Sequence, residues 1–83
     1  MVRIRIEISY LDGVEDPEAS TLHHNLGVLG YDTVEDTRIM KIYELSFSED
    51  AHTAMGMAKS IAENLLINPV INKYDIIVIG EEE

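Results

Sequence analysis

Cysteine is absent from this chain, and so are long apolar runs. Without cysteine, neither disulfides nor thiolate metal sites are available. No apolar run approaches the roughly 20 residues that a membrane-spanning helix needs, and no apolar stretch follows the N-terminal charges as it would in a signal peptide. The expected location is therefore the cytoplasm.

The chain is also short, with 83 residues. That length suits about one small domain, which buries only roughly 60 to 65% of its unfolded surface. Small chains that lack disulfides and metals often gain stability by associating with partners. The sequence therefore predicts a single domain over residues 1–83 that works by association.

Positive charge is scarce, because 6 Lys and Arg stand against 16 Asp and Glu, for a net charge of −10 with histidine neutral. Nucleic-acid binding needs clustered basic side chains to displace counterions from phosphates, and the few here form no run. The composition therefore argues against a nucleic-acid partner. Residues 80–83 are predicted to be a solvated acidic tail, with docking on a basic partner as the alternative.

The N-terminal segment has the period-two alternation of a strand with one buried face. The apolar positions are Val2, Ile4, Ile6, Ile8 and Tyr10. On the other face, Arg3 and Arg5 leave a basic surface. Cross-strand pairing with a residue such as Glu44 is one interpretation, and docking against an acidic partner is the other.

A helix is predicted over residues 17–29, after a loop that contains Asp12-Gly13. Pro17 suits the first helical turn, with Asp16 as the N-cap. Gly30 follows where a helix commonly ends. Apolar residues recur at helical spacing at Ala19, Leu22, Leu26 and Leu29.

Two strands are predicted next, a weaker one over residues 34–39 and a stronger one over residues 42–47, joined near Met40 as a hairpin. Ser48 is the predicted N-cap of a second helix, whose apolar stripe extends to Leu65. Its small residues, among them Gly56, would let it lie close to a sheet. Asn68-Pro69 ends this helix, and residues 76–79 form the last strand.

The predicted fold is therefore α+β with the order βαββαβ. This is the ferredoxin-like sandwich, with a four-stranded antiparallel sheet and two helices on one face. Both faces of the last strand are apolar, although the strand lies at a sheet edge, so something should cover it. A homodimer through Ile77 and Ile79 is the prediction, and a folded-back C-terminal tail is the alternative.

Ferredoxin-like domains serve many functions, and the residues weigh against several of them. Residues 11–17 lack the Arg that an acylphosphatase needs, and a metal chaperone would need a cysteine pair there. RNA-recognition domains need exposed aromatics, yet Tyr10, Tyr43 and Phe47 share the alternation of the core. A homodimeric regulatory domain that binds an amino acid or another small ligand stays open as the alternative.

No residue set points to catalysis or to a cofactor in this chain. His23 and His24 lie about 100° apart on a helix and cannot face one metal together, and His52 belongs to the other helix. The acidic residues at 12, 15, 16 and 18 miss the EF-hand spacing, so a cap and a solvated loop are the favoured interpretation. We therefore predict no catalytic, cofactor or metal site.

Several short segments, taken in their order and spacing, resemble the PurS family, the small subunit of phosphoribosylformylglycinamidine (FGAM) synthase. They are Asp16-Pro17-Glu18, Leu29-Gly30-Tyr31, Arg38-Ile39-Met40-Lys41, Glu44-Leu45, and Leu65-Leu66-Ile67-Asn68-Pro69-Val70-Ile71 with Tyr74. The resemblance spans nearly the whole chain. Met40 stands where the family usually has glycine.

The resemblance implies a non-catalytic subunit of an ATP-dependent, glutamine-using ligase in purine biosynthesis. Such a subunit bridges the large synthetase subunit and the glutaminase subunit so that ammonia passes between them. ATP and Mg²⁺ are then expected on the large subunit. The chain itself would form a dimer, with a tetramer as the alternative.

Four residues are candidate partner contacts: Arg38, Lys41, Asn68 and Tyr74. Each also has a purely structural interpretation. Arg38 and Lys41 would be turn charges, Asn68 a helix C-cap, and Tyr74 part of the core.

Overall fold

The computed structural model describes residues 1–81. In chain order its elements are β1 (Val2–Tyr10), α1 (Pro17–Val28), β2 (Lys41–Phe47), α2 (Ala51–Ile61), a π-helical turn (Ala62–Leu66) and β3 (Asn72–Glu81). No helix within the described residues is long and apolar enough to cross a bilayer.

The sheet has three antiparallel strands in the order β2-β1-β3. The predicted four-stranded sheet is therefore wrong, because residues 34–39 form no strand within the described chain. This segment instead runs beside α1, where Thr37 Oγ1 lies 2.8 Å from His23 Nδ1. The α+β class and the broadly ferredoxin-like arrangement hold.

The core forms between β1 and α2, and the predicted alternation of β1 is confirmed. Val2, Ile4, Ile6 and Ile8 are buried. From α2 and the turn after it, residues at helical spacing of four meet them: Ala54, Ala58 and Ala62, each 0% exposed. Their small side chains let the helix lie close to the sheet, as the sequence predicted.

The helix ends follow local capping chemistry. Asp16 accepts hydrogen bonds from the backbone amides of Glu18 and Ala19, which confirms it as the N-cap of α1. Gly30 follows the helix with φ +94°, a conformation that favours glycine. For α2 the predicted cap Ser48 is wrong. Asp50 Oδ1 accepts from the Thr53 amide at 2.7 Å, because a carboxylate two residues later also suits this position.

The last strand, β3, is longer than residues 76–79, since its first half also pairs with β1. Its far end includes Gly80 and Glu81, which the sequence assigned to the acidic tail. Glu82 and Glu83 of that tail lie outside the described residues. The register shifts near this end, leaving Ile79 as the additional residue of a β-bulge.

The molecule is far from compact. Its radius of gyration is 16.3 Å, against about 12 Å for a compact chain of this length. Of the residues in α1 only Ala19 is buried, so the predicted packing of both helices on the sheet fails for α1. The longest extent of the molecule is 50 Å. Since β1 is about 30 Å long and α1 about 18 Å long, the two elements span this distance only if they lie nearly end to end. Residues 17–40 therefore form a projecting arm.

Candidate functional site

One face of the sheet is left without a covering helix, and we call it the open face. It carries the polar side of β1 and the residues that pair with it. Arg5 lies between Glu44 of β2 and Ile77 of β3. Beside it, Ile42 is 53% exposed and Ile77 is 41% exposed. Both are therefore available for contact with another protein.

Arg5 lies at the centre of the open face, and its side chain has no hydrogen-bond or ion-pair partner among residues 1–81. Its Nε atom is shielded from solvent and has no hydrogen-bond acceptor. Glu44 is its register partner, as the sequence suggested, but the two side chains form no ion pair in the described structure. Arg5 is thus a half-buried cation that forms no ion pair among the described residues.

Asn68, a predicted partner contact, holds together the loop between the π-helical turn and β3. Its side-chain oxygen accepts from the Val70 amide at 3.1 Å, and its carbonyl accepts from the Asn72 amide at 2.8 Å. The Asn72 side chain in turn accepts from the Asn68 amide at 3.0 Å. Asn68 therefore has a clear structural role in this loop.

Tyr74, a second predicted contact, packs its ring partly against the core. Its hydroxyl donates to Glu63 Oε1 at 3.0 Å, which ties β3 to the π-helical turn. Burial and then the Glu63 carboxylate raise the pKa of Tyr74 above its ordinary value. Tyr74 thus also serves the fold.

Arg38 and Lys41, the other two predicted contacts, are both exposed. Ile8 pairs with Lys41 on one side and with Tyr74 on the other, so these two lie about two strand spacings, or 10 Å, apart. Asn68 belongs to the loop that leads into the start of β3. Lys41, Asn68 and Tyr74 are therefore gathered at the end of the sheet from which the arm leaves.

Sequence reasoning missed the most exposed aliphatic side chains. Leu65 and Val70 are 77% and 76% exposed, and they flank the Asn68 loop. Val28 and Leu29 are 71% and 72% exposed at the far end of the helix in the arm. The apolar spacing of α1 predicts core packing, and only the tertiary structure shows that the arm leaves the sheet.

A cavity of about 560 Å³ lies between residues 9–16, α1 and residues 36–39. Its carboxylates already have polar partners within the chain: Asp12 with Lys73, Glu15 with Ser20, Asp16 with the α1 amides, and Asp36 with the Thr37 amide. Within residues 1–81 no cluster of three or more His, Cys, Asp or Glu is arranged to hold a metal ion. The exposed apolar surfaces are thus the stronger candidates.

A small α+β chain with a projecting arm and an open sheet face belongs to the class of subunits whose exposed apolar surfaces are buried when they assemble with other proteins. Within that class, the chain belongs to the PurS family. The family profile, described as phosphoribosylformylglycinamidine (FGAM) synthase, matches residues 3–80. The chain is accordingly a subunit of FGAM synthase, which acts in purine biosynthesis.

Known relatives match over most of their length. The chain is 32% identical over 74 residues to the PurS subunit of Bacillus subtilis, covering 89% of this chain and 88% of the relative. It is 36% identical over 77 residues to the PurS subunit of Methanothermobacter thermautotrophicus, covering 92% and 88%.

Solved structures match equally well. The crystal structure of Methanocaldococcus jannaschii PurS superposes with a TM-score of 0.89 at 28% identity, covering 99% of this chain and 100% of that chain. A chain in the structure of PurLQS from Thermotoga maritima gives a TM-score of 0.83 at 26% identity, covering 94% and 96%. Superposition over nearly the whole chain includes the arm, so the open outline is shared.

Proposed function

We propose that this chain is the non-catalytic assembly subunit of FGAM synthase, which bridges the large synthetase subunit and the glutaminase subunit for ammonia transfer. The observation that carries the proposal is the uncovered surface. The chain exposes 6042 Å², whereas a compact protein of 9.4 kDa would expose about 5,000 Å². The excess is similar to the roughly 800 Å² that each partner buries in a standard protein interface.

The partners in this proposal follow from the relatives. The Thermotoga maritima structure is named PurLQS, a complex of three subunits, and one of its chains has this fold. By analogy, the present chain contacts a large synthetase and a glutaminase. ATP and Mg²⁺ bind to the large subunit in this scheme, and the complex works in the cytoplasm.

Self-association is part of the proposal, and the arm is its best-supported contact. The helix in the arm presents Val28 and Leu29 to solvent, and Ala19 is the only residue of α1 that is buried. Exchange of such an element between two copies is a common route to dimers. Under this proposal Ile77 and Ile79, the dimer contacts predicted from the sequence, lie outside the self-contact.

The assembly role is tested by reconstitution. Adding the chain to purified synthetase and glutaminase should raise amidation with glutamine as the nitrogen source. Amidation with ammonium salts, which bypasses the glutaminase, should change little and serves as the control. Equal glutamine-dependent activity with and without the chain would contradict the proposal.

The self-contact is tested by molar mass in light scattering. Val28→Ser combined with Leu29→Ser should convert the dimer to a monomer because the change removes apolar contact from the arm. The matched control, Ile77→Asp with Ile79→Asp, should leave the mass unchanged. If the Ile77→Asp, Ile79→Asp variant became a monomer and the Val28→Ser, Leu29→Ser variant stayed a dimer, the self-contact would lie on β3 instead.

A further inference from the structure

The Nε atom of Arg5 has no hydrogen-bond acceptor among residues 1–81. Because its Nε atom is shielded and has no acceptor, part of the guanidinium has lost water without gaining a hydrogen bond. Such a loss destabilises a fold, and more so for a charged group. The nearest acidic candidate by register, Glu44, forms no ion pair with it in the described structure. Within residues 1–81 no acceptor reaches this Nε atom, and an anion from another protein would supply one.

The chemistry of arginine narrows what that anion is. The two terminal nitrogens of Arg5 also have no partner among the described residues, but unlike Nε they are not shielded. They can therefore be approached from solvent. A planar guanidinium offers two parallel donors, which match the two oxygens of a carboxylate. Next to it, Ile77 supplies an exposed aliphatic surface. A protein segment with an acidic side chain beside an apolar one fits this surface.

A second copy of the chain fits the open face poorly. Two exposed aliphatic side chains, Ile42 and Ile77, lie on it among its charged residues. The charged residues on this face, by strand register, are Arg3, Arg5, Glu7, Glu44, Lys73 and Asp75. Stacking two such faces would desolvate both sets of charges, which is costly unless each finds a partner. A partner that inserts one acidic segment leaves most of these charges in water.

We infer that the open face is the docking surface for an acidic segment of another FGAM synthase subunit, and that Arg5 binds its carboxylate. The inference rests on the proposed assembly function and adds the face, the anchoring residue and the chemistry of the partner. The contact at Arg5 fixes the orientation of the sheet on the partner, and Ile42 and Ile77 supply the apolar contact around it.

The test compares Arg5→Met with the wild-type chain in binding to immobilised synthetase and, separately, to immobilised glutaminase. Methionine keeps an unbranched apolar stem but removes the guanidinium. Affinity for one of the two subunits should fall at least about 30-fold, as expected when one member of a desolvated charge pair is removed. The melting temperature of the variant alone should be equal or higher, because the uncompensated cation is gone.

The control is Lys59→Met, which removes one positive charge from the exposed side of α2 and should leave both affinities nearly unchanged. Undiminished binding of Arg5→Met to both subunits would overturn the inference. So would a dimer that dissociates in this variant, because the open face would then be a self-contact. If the wild-type chain binds neither subunit, the assembly function itself fails, which is a distinguishable result.

Discussion

The two faces of the sheet should respond very differently to the same truncation. Ile6, on the central strand, is 0% exposed and lies against α2, whereas Ile77, on β3, is 41% exposed on the open face. Replacing each with alanine removes the same three carbon atoms. The structure therefore predicts a large loss of stability for Ile6→Ala and a small one for Ile77→Ala.

The magnitudes follow from burial. Three buried carbons are worth about 2.4 kcal/mol in transfer free energy, and an enclosed cavity adds to this, so Ile6→Ala should cost about 3 to 4 kcal/mol. At Ile77 solvent fills the vacated space and the side chain is only partly buried, so the cost should be about 1 kcal/mol. A chain of this length has a total stability of about 4 to 12 kcal/mol. Ile6→Ala therefore uses up much of the stability of the fold.

Urea unfolding followed by circular dichroism, at one fixed protein concentration, gives both values. With a slope near 1 kcal/mol per M, the midpoint should fall by about 3 M for Ile6→Ala and by about 1 M for Ile77→Ala. If Ile6→Ala is too unstable to measure, Ile6→Val should cost about 1 kcal/mol. Equal losses for the two alanine variants would refute the reasoning, because they would show that the open face is covered in the free protein.

Two further predictions concern glycine geometry and pH. Gly56 lies within α2, and a Cβ atom there would meet nothing within 4 Å, so Gly56→Ala should raise the free energy of unfolding by about 0.5 to 1 kcal/mol. Gly30→Ala should lower it, since φ is +94° at that position; a stabilised Gly30→Ala variant would contradict this geometry. The raised pKa of Tyr74 means that the fold favours the neutral phenol, so its contribution to stability is present below the ordinary pKa of 10.0 and is lost as pH rises through the folded value. In a titration of phenolate absorbance, Tyr74→Phe should remove a component that ionises above that ordinary value, and an unchanged alkaline limb would argue against the Glu63 contact.

The core and the helix caps could be predicted because their signals are local. The alternation in β1 and the position of Asp16 before Pro17 leave few alternatives, and the structure confirms both. The N-cap of α2 could not be predicted in the same way. Ser48 and Asp50 are both suitable capping residues within one short loop, and only the final packing selects Asp50.

The arm could not be predicted, because the apolar spacing of a helix does not specify which sheet it will cover. The spacing of α1 predicts that Leu22 and Leu29 face the core of their own chain, yet they are 44% and 72% exposed. The predicted strand at residues 34–39 is wrong for a related reason. A strand needs the edge of a neighbouring strand to pair with, and within the described chain this segment lies beside α1 instead. Both errors follow from assuming that every apolar segment packs on the sheet of its own chain.

Self-association and docking to an enzyme subunit can occur at the same time only if they use different surfaces, and the placement of the two proposed contacts meets that condition. The arm leaves the sheet after Tyr10, at the end where Asn72 begins β3. Arg5 lies midway along β1, with its side chain on the face opposite α2. Arg5 and the apolar end of the arm therefore belong to different parts of the chain. If both contacts used one surface, binding of the second copy would displace the enzyme partner, and the subunit could not hold two proteins together.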